Sequence, residues 1–168
     1  LADAATGLTE LNNSTAIGAN AKVTASNQIM LGTASETVTI PGSLSIAGTT
    51  VTATAAELNT YILNVALDNI SATSTCFVVV PKAGTISKIS SIIDGTTADA
   101  DAVITANVNG GTNIPEQITI ANGSAATAID TCTPTDNNTV TAGQYIKLTT
   151  NGGSTNTVKA VFTIEITY

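Results

Sequence analysis

The chain has 168 residues, five of them lysine and none arginine or histidine, and carries a formal net charge of −7. It offers no basic stripe for phosphates or anionic lipid, so neither nucleic acid nor a membrane surface is an expected partner. Without histidine there is no Ser-His-Asp triad and no imidazole metal ligand.

Charged residues make up 10% of the chain, against ~25% in an ordinary soluble protein. Mean hydropathy is +0.30, yet no run approaches the ~20 apolar residues of a membrane span. Thr and Val enrichment, punctuated by Gly, Asn and Asp, predicts an all-β chain. A surface of Thr, Ser and Asn suits a particle component whose neighbours cover much of it. Leu1-Ala2-Asp3 has neither the charged nor the apolar region of a signal peptide. The missing initiator Met reads as a chain that begins inside a longer gene product.

Leu1 to Asn13 has no clear period. Leu8 and Leu11 are compatible with one helical turn that leaves Asp3 and Glu10 in solvent, or with a tail that orders against a neighbour. A repeat follows. Ala16-Ile17-Gly18 returns as Met30-Leu31-Gly32 after fourteen residues, and more loosely as Ile46-Ala47-Gly48 after sixteen more. Self-similarity at a fixed period marks stacked repeats. At ~3.3 Å per residue, fourteen residues suit a rung of two short strands and two turns. Glycine at the end of each triplet permits a corner at positive φ. The competing local reading is a pair of hairpins with glycine at the turns. Thr37-Val38-Thr39-Ile40 and Ser43-Leu44-Ser45-Ile46 alternate as half-buried strands should, on either side of Pro41-Gly42. Two or three rungs hold too few apolar groups to close a core. Several copies around an axis would bury Ile17, Leu31 and Ile46 together, so an oligomer is expected.

Ser14-Thr15-Ala16-Ile17-Gly18 followed by Asn27-Gln28-Ile29-Met30-Leu31-Gly32 resembles the fourteen-residue head repeat of trimeric autotransporter adhesins. Phage and marine-virus fibre proteins carry it too, often with an ending like Glu36-Thr37-Val38-Thr39-Ile40-Pro41-Gly42. This resemblance spans about 35 residues and implies a parallel β-roll with three chains to a bundle.

Thr54-Ala55-Ala56-Glu57 matches a capping box, and Leu58, Ile62 and Val65 follow at helical spacing. The spacing predicts a short helix from about Ala55 to Asn64. A helix this short is marginal alone, so its stripe must pack, either at a threefold axis or on the next domain. Val51-Thr52-Ala53-Thr54-Ala55-Ala56-Glu57-Leu58-Asn59 is similar to a connector in phage fibre and tail proteins. The expected organisation is therefore a β-roll stalk over 1–50, a helical connector over 51–66 and a β-sandwich over 67–168.

The last hundred residues are enough for a single core. Strands are predicted at 66–70, 74–80, 85–93, 101–108, 116–121, 126–132, 143–150 and 157–168, with turns such as Asn109-Gly110-Gly111 and Asn151-Gly152-Gly153 between them. Ile104, Ala106 and Val108 should face one way. So should Ile118 and Ile120; Ile146 and Leu148; and Ala160, Phe162, Ile164 and Ile166. Eight alternating strands fit a two-sheet jelly roll. Phe77-Val78-Val79-Val80 is apolar on both faces, which predicts either a covered central strand or a subunit contact. Phe77 to Ile89 and Thr139 to Asn156 resemble small phage head-decoration proteins. That likeness implies a non-enzymatic trimeric cement or fibre subunit and carries no catalytic residue.

Chemistry is sparse. Cys76 and Cys132 are either bridged or, more simply, two buried free thiols. Asp94, Asp99 and Asp101 form the densest carboxylate group, but EF-hand spacing is absent and a solvated turn is the simpler reading. Asp130 and Asp136 flank a further loop. An enzyme would have to draw on Glu116, Glu165, Asp94 and Asp101, and no motif marks any pair. No cofactor or metal is expected. The expected function is that of a homotrimeric decoration or head-fibre subunit on the virion surface, assembled in the host cytoplasm and bound to the major capsid protein or another virion protein. Its trimer contacts would be Ile17, Leu31, Ile46, Leu58, Ile62 and Val65. The alternative is a trimeric tail-fibre tip that binds a host receptor, with Tyr145 and Tyr168 as the aromatic surfaces for sugar.

Overall fold

In the computed structural model, which describes residues 11–168, the fourteen-residue period is a physical stacking distance. Strands β1 (Thr15–Ile17) and β2 (Ile29–Leu31) pair in parallel, Thr15 beside Ile29, Ala16 beside Met30 and Ile17 beside Leu31. Every partner is fourteen residues away. The match extends past the strands: the Asn13 amide donates to Asn27 Oδ1 at 3.2 Å and the Asn12 N–H to Ser26 Oγ at 3.1 Å. Asn13 and Asn27 share a left-handed backbone, φ 56° and 60°. Gly18 and Gly32 turn the corners at φ 117° and 74°. A Cβ on Gly18 would stand 3.2 Å from Gly32 Cα, so a side chain at Gly18 would crowd the stacked corner.

The looser third copy is not a rung. Strand β3 (Ser45–Ile46) folds back on β4 (Thr49–Thr50) as an antiparallel hairpin. Ala47 and Gly48 both take positive φ, the geometry of a tight primed turn. Two residues between strands are enough for a hairpin, and that local closure displaces the longer-range stacking. Thr37 to Ile40 pairs with no strand among the described residues, in spite of its alternation.

The chain divides into compact units after Thr52. The second opens with one helical turn, α1 (Ala55–Leu58). The capping box is formed: the Thr54 N–H donates to Glu57 Oε2 at 2.6 Å and the Glu57 N–H to Thr54 Oγ1 at 3.2 Å. The helix nevertheless stops at Leu58. Thr60 to Leu67, expected to be partly helical, is strand β5. Its Tyr, Ile, Leu and Val favour a pleated surface. Eight residue pairs with the last strand outweigh a second helical turn that would be marginal in water. The first sandwich strand thus begins at residue 60, not 66.

The remaining strands are β6 (Ser74–Val79), β7 (Gly84–Ile93), β8 (Ala102–Val108), β9 (Ile118–Ile120), β10 (Ile129–Cys132), β11 (Thr139–Val140), β12 (Tyr145–Thr150) and β13 (Ala160–Thr167). They form two antiparallel sheets. One runs β10-β7-β13-β5, with β11 also on β7; the other runs β6-β12-β8-β9. The core between them is mostly isoleucine, with Phe162 its one fully buried aromatic. The predicted inward faces hold: Ile104 and Ala106, Ile118 and Ile120, Ile146 and Leu148, and Ala160 to Ile166 at every second residue are all buried. Each such isoleucine contributes about 1.5–3 kcal/mol by leaving water. In β7, Ile86 and Ile89 are both buried although three residues apart. A bulge opposite Glu165–Ile166 absorbs the extra residue and keeps both on the core side.

Buried hydroxyls close the sandwich ends. Thr150 Oγ1 donates to the Ile70 carbonyl at 3.1 Å, and Thr97 Oγ1 donates to the Ala121 carbonyl at 2.7 Å. Gly153 is needed for contact, since a Cβ there would lie 2.0 Å from the Asp101 carbonyl oxygen.

Candidate subunit interface

The rungs present apolar side chains to solvent. Ile17 is 58% exposed and Leu31 45%, stacked one above the other through the strand register. Ile29, two residues before Leu31 on the same face, is also bare. Beyond the rungs Val38, Ile40, Leu44 and Ile46 are exposed as well. Against these seven, the unit's described residues bury only two small hydrophobes, Ala21 and Val23. The parallel register puts Ile17 and Leu31 in one column on one face, and the described residues of the unit leave that column exposed.

The other three predicted contacts separate. Leu58 ends the helical turn and is exposed. Ile62 lies on the outer face of β5, 57% exposed beside Glu165. Val65 points the other way, half-buried against the core. The reason is the change of period. On a helix, positions 58, 62 and 65 share a face; on a strand, 62 and 65 lie on opposite faces. Val65 therefore packs, partly buried, against the core.

Sequence reasoning missed a further apolar row. Ala66, Val161, Ile92 and Ile129 stand side by side across four strands of the first sheet, on its outer face. A shallow hollow of about 190 Å³ lies along it. The signal was an apolar residue at a position where the alternation calls for a polar one: Val161 between Ala160 and Phe162, and Ile92 between Ser91 and Ile93. On the second sheet Phe77 and Val79 are exposed, and β6 is an edge strand, not a covered central one. Phe77 packs edge-on against Tyr145, centroids 5.5 Å apart.

The carboxylates serve the loops. Asp94 Oδ1 accepts the Lys159 N–H at 2.8 Å, and Asp101 Oδ1 accepts the Asn122 N–H at 2.7 Å. Asp99 accepts the Thr155 hydroxyl. Glu116 accepts both the hydroxyl and the N–H of Thr135, which hold its carboxyl below the usual range. Glu165 lies 3.9 Å from Lys88. Among the described residues no three carboxylates or thiols gather as a metal cluster would require. Cys76 and Cys132 are free and lie on different sheets, and burial pushes both thiols up to about 11, far from a reactive thiolate. An open polar hollow of about 450 Å³ is lined by Thr112, Asp136, Asn137, Thr139 and Gln144.

No protein-family model matches the chain. A comparison with curated proteins gives no significant match either. What the site can do therefore rests on its geometry, which is that of exposed apolar surfaces.

Tyr168 and Tyr61 fasten the start of β5. The Tyr168 N–H donates to the Asn59 carbonyl at 2.9 Å, and its hydroxyl donates to that of Leu58 at 3.3 Å. The Lys82 ammonium sits 3.0 Å from the Tyr168 ring centroid. Of the two tyrosines expected to offer sugar platforms, Tyr168 is thus engaged by the fold, and Tyr145 is partly covered by Phe77.

Proposed function

We propose that the chain is a non-enzymatic structural subunit of a bacteriophage virion, a homotrimeric decoration or head-fibre protein held on the particle surface. The observation that carries this reading is the pair of in-register fourteen-residue rungs whose apolar column is bare in one chain. Its repeat is the one that resembles trimeric fibre heads, and three copies around an axis supply the missing core. The strand order supports the second half of the reading. β5-β13-β7-β10 facing β6-β12-β8-β9 is the wrap of a jelly roll, an architecture common in viral capsid domains. The mechanism is mechanical. Burial between chains locks the subunits together, and the assembled unit clamps the major capsid protein or another virion protein after assembly in the host cytoplasm.

Mass measurement across micromolar concentrations tests the assembly, with three chains expected and a stable monomer overturning it. A cryo-EM map of the particle tests the place: density at capsid threefold positions is expected. A tail-fibre tip that binds a host receptor is the second reading, favoured by the polar hollow beside Gln144. Density at the tail, together with glycan-array binding lost in Asn137→Ala, would select it.

A further inference from the structure

The two open sides of the sandwich are built differently. On one side lie β9 and β10, the outermost strands of their sheets. They are three and four residues long. Asp130 of β10 is turned inward, and its Oδ2 is buried without a hydrogen-bond partner. Short edge strands and an inward charge are devices that prevent a sheet from adding another strand. On the opposite side lie β5 and β6, eight and six residues long. Neither contains a charged residue or a proline. From Tyr61 to Leu67 and from Ser74 to Val79, the outward backbone groups meet no further strand among the described residues. Exposed apolar side chains flank this side: Leu58 at the end of α1 and Ile62 on the first sheet, Phe77 and the 66% exposed Val79 on the second.

We propose that the β5/β6 side of the sandwich is an interface to a second copy of this chain, with the strand edges at its centre and Ile62 on one flank, Phe77 and Val79 on the other. This rests on the assembly reading above. It adds that the sandwich, and not only the repeat unit, holds the copies together. Charge selects the occupant. The chain carries −7, so copies repel least where they meet through uncharged strands, and neither β5 nor β6 carries a charge. A basic partner would find no carboxylate on either strand. The charges nearby stand on neighbours: Glu57 on α1 and Glu165 on β13 share a hollow with Ile62, Lys147 on β12 pairs with Phe77, and Asp68 and Lys82 lie just beyond the strand ends. The surface is also continuous with Leu58 and Ile62 of the proposed interface.

The test uses the full chain. Mass against concentration is compared for the wild type, for Ile62→Lys/Val79→Lys and for Ile17→Asp/Leu31→Asp. Both lysine positions are exposed, so an unchanged melting temperature of dilute protein verifies folding. The lysine pair should raise the concentration needed for assembly at least tenfold. An assembled wild type with unaltered assembly of the lysine pair overturns this inference alone. A monomeric wild type overturns the assembly reading itself. A lysine pair whose assembly recovers at high salt further supports a face made neutral to avoid repulsion.

Discussion

The two units use the same residues in opposite ways. The sandwich encloses its isoleucines between two sheets, and its inward faces are almost dry. The repeat unit spends similar isoleucines, leucines and valines on a surface left in water. Antiparallel strands with alternating sequence can close over themselves within one chain. Two short in-register parallel rungs do not enclose a core here: Ile17 and Leu31 stack on one face and stay exposed. An apolar face is thus a core in the first case and an exposed surface in the second.

The comparison can be broken most sharply at Phe162. Phe162→Ala should cost the sandwich about 3–5 kcal/mol in denaturant unfolding, whereas Leu31→Ser should leave that transition within about 0.5 kcal/mol while weakening assembly. Equal effects would mean that the units do not differ as described. Next is Gly153→Ala, where the new methyl meets the Asp101 carbonyl; a loss of about 1–3 kcal/mol is expected, as for overpacking.

Acid titration sharpens the contrast. Threonine hydrogen bonds depress the carboxyls of Glu36, Glu57 and Glu116. A lowered folded value means stability present above the unfolded value near 4.5 and lost as pH falls through the folded one. Glu116→Gln should therefore flatten the acid side of the sandwich's stability profile, and Glu36→Gln should leave it alone. Asp130 runs the other way. Burial raises its carboxyl, so its contribution is full below 3.8 and lost as pH rises through the folded value. Asp130→Val should unfold at higher denaturant concentration than wild type at pH 7, with the difference shrinking toward pH 3. It should also self-associate more, because the β10 edge loses its inward charge. A small effect is expected at Thr54→Ala, which removes one partner of a cap on a single helical turn. A change of about 0.5–1 kcal/mol in sandwich unfolding is the expected size.

One local device was only partly legible. Thr54-x-x-Glu57 reads as a helix cap, yet the same reach closes Thr33 to Glu36 and Thr141 to Gln144, where no helix follows. A threonine N–H met by a carboxylate or amide three residues on stabilises a turn. What comes next is decided elsewhere. At Leu58, Ile62 and Val65 the helical spacing was real but accidental, and Tyr61, Leu63, Val65 and Leu67 carried the strand period in the same stretch. Pairing with β13, more than ninety residues distant, selected between them.

By itself the sequence determined what depends on neighbours along the chain: the all-β class, the fourteen-residue rung, the inward set of the later strands and the positive-φ corners at glycine. Side-chain alternation and turn chemistry are local, so they survive without knowledge of the fold. Only the tertiary structure decided which strands lie at the edges, that the third repeat closes as a hairpin, that Val65 turns inward, and that Val161, Ile92 and Ile129 line up in one row. Each of these depends on which distant strand arrives alongside, and the register of that pairing is a property of the whole sheet.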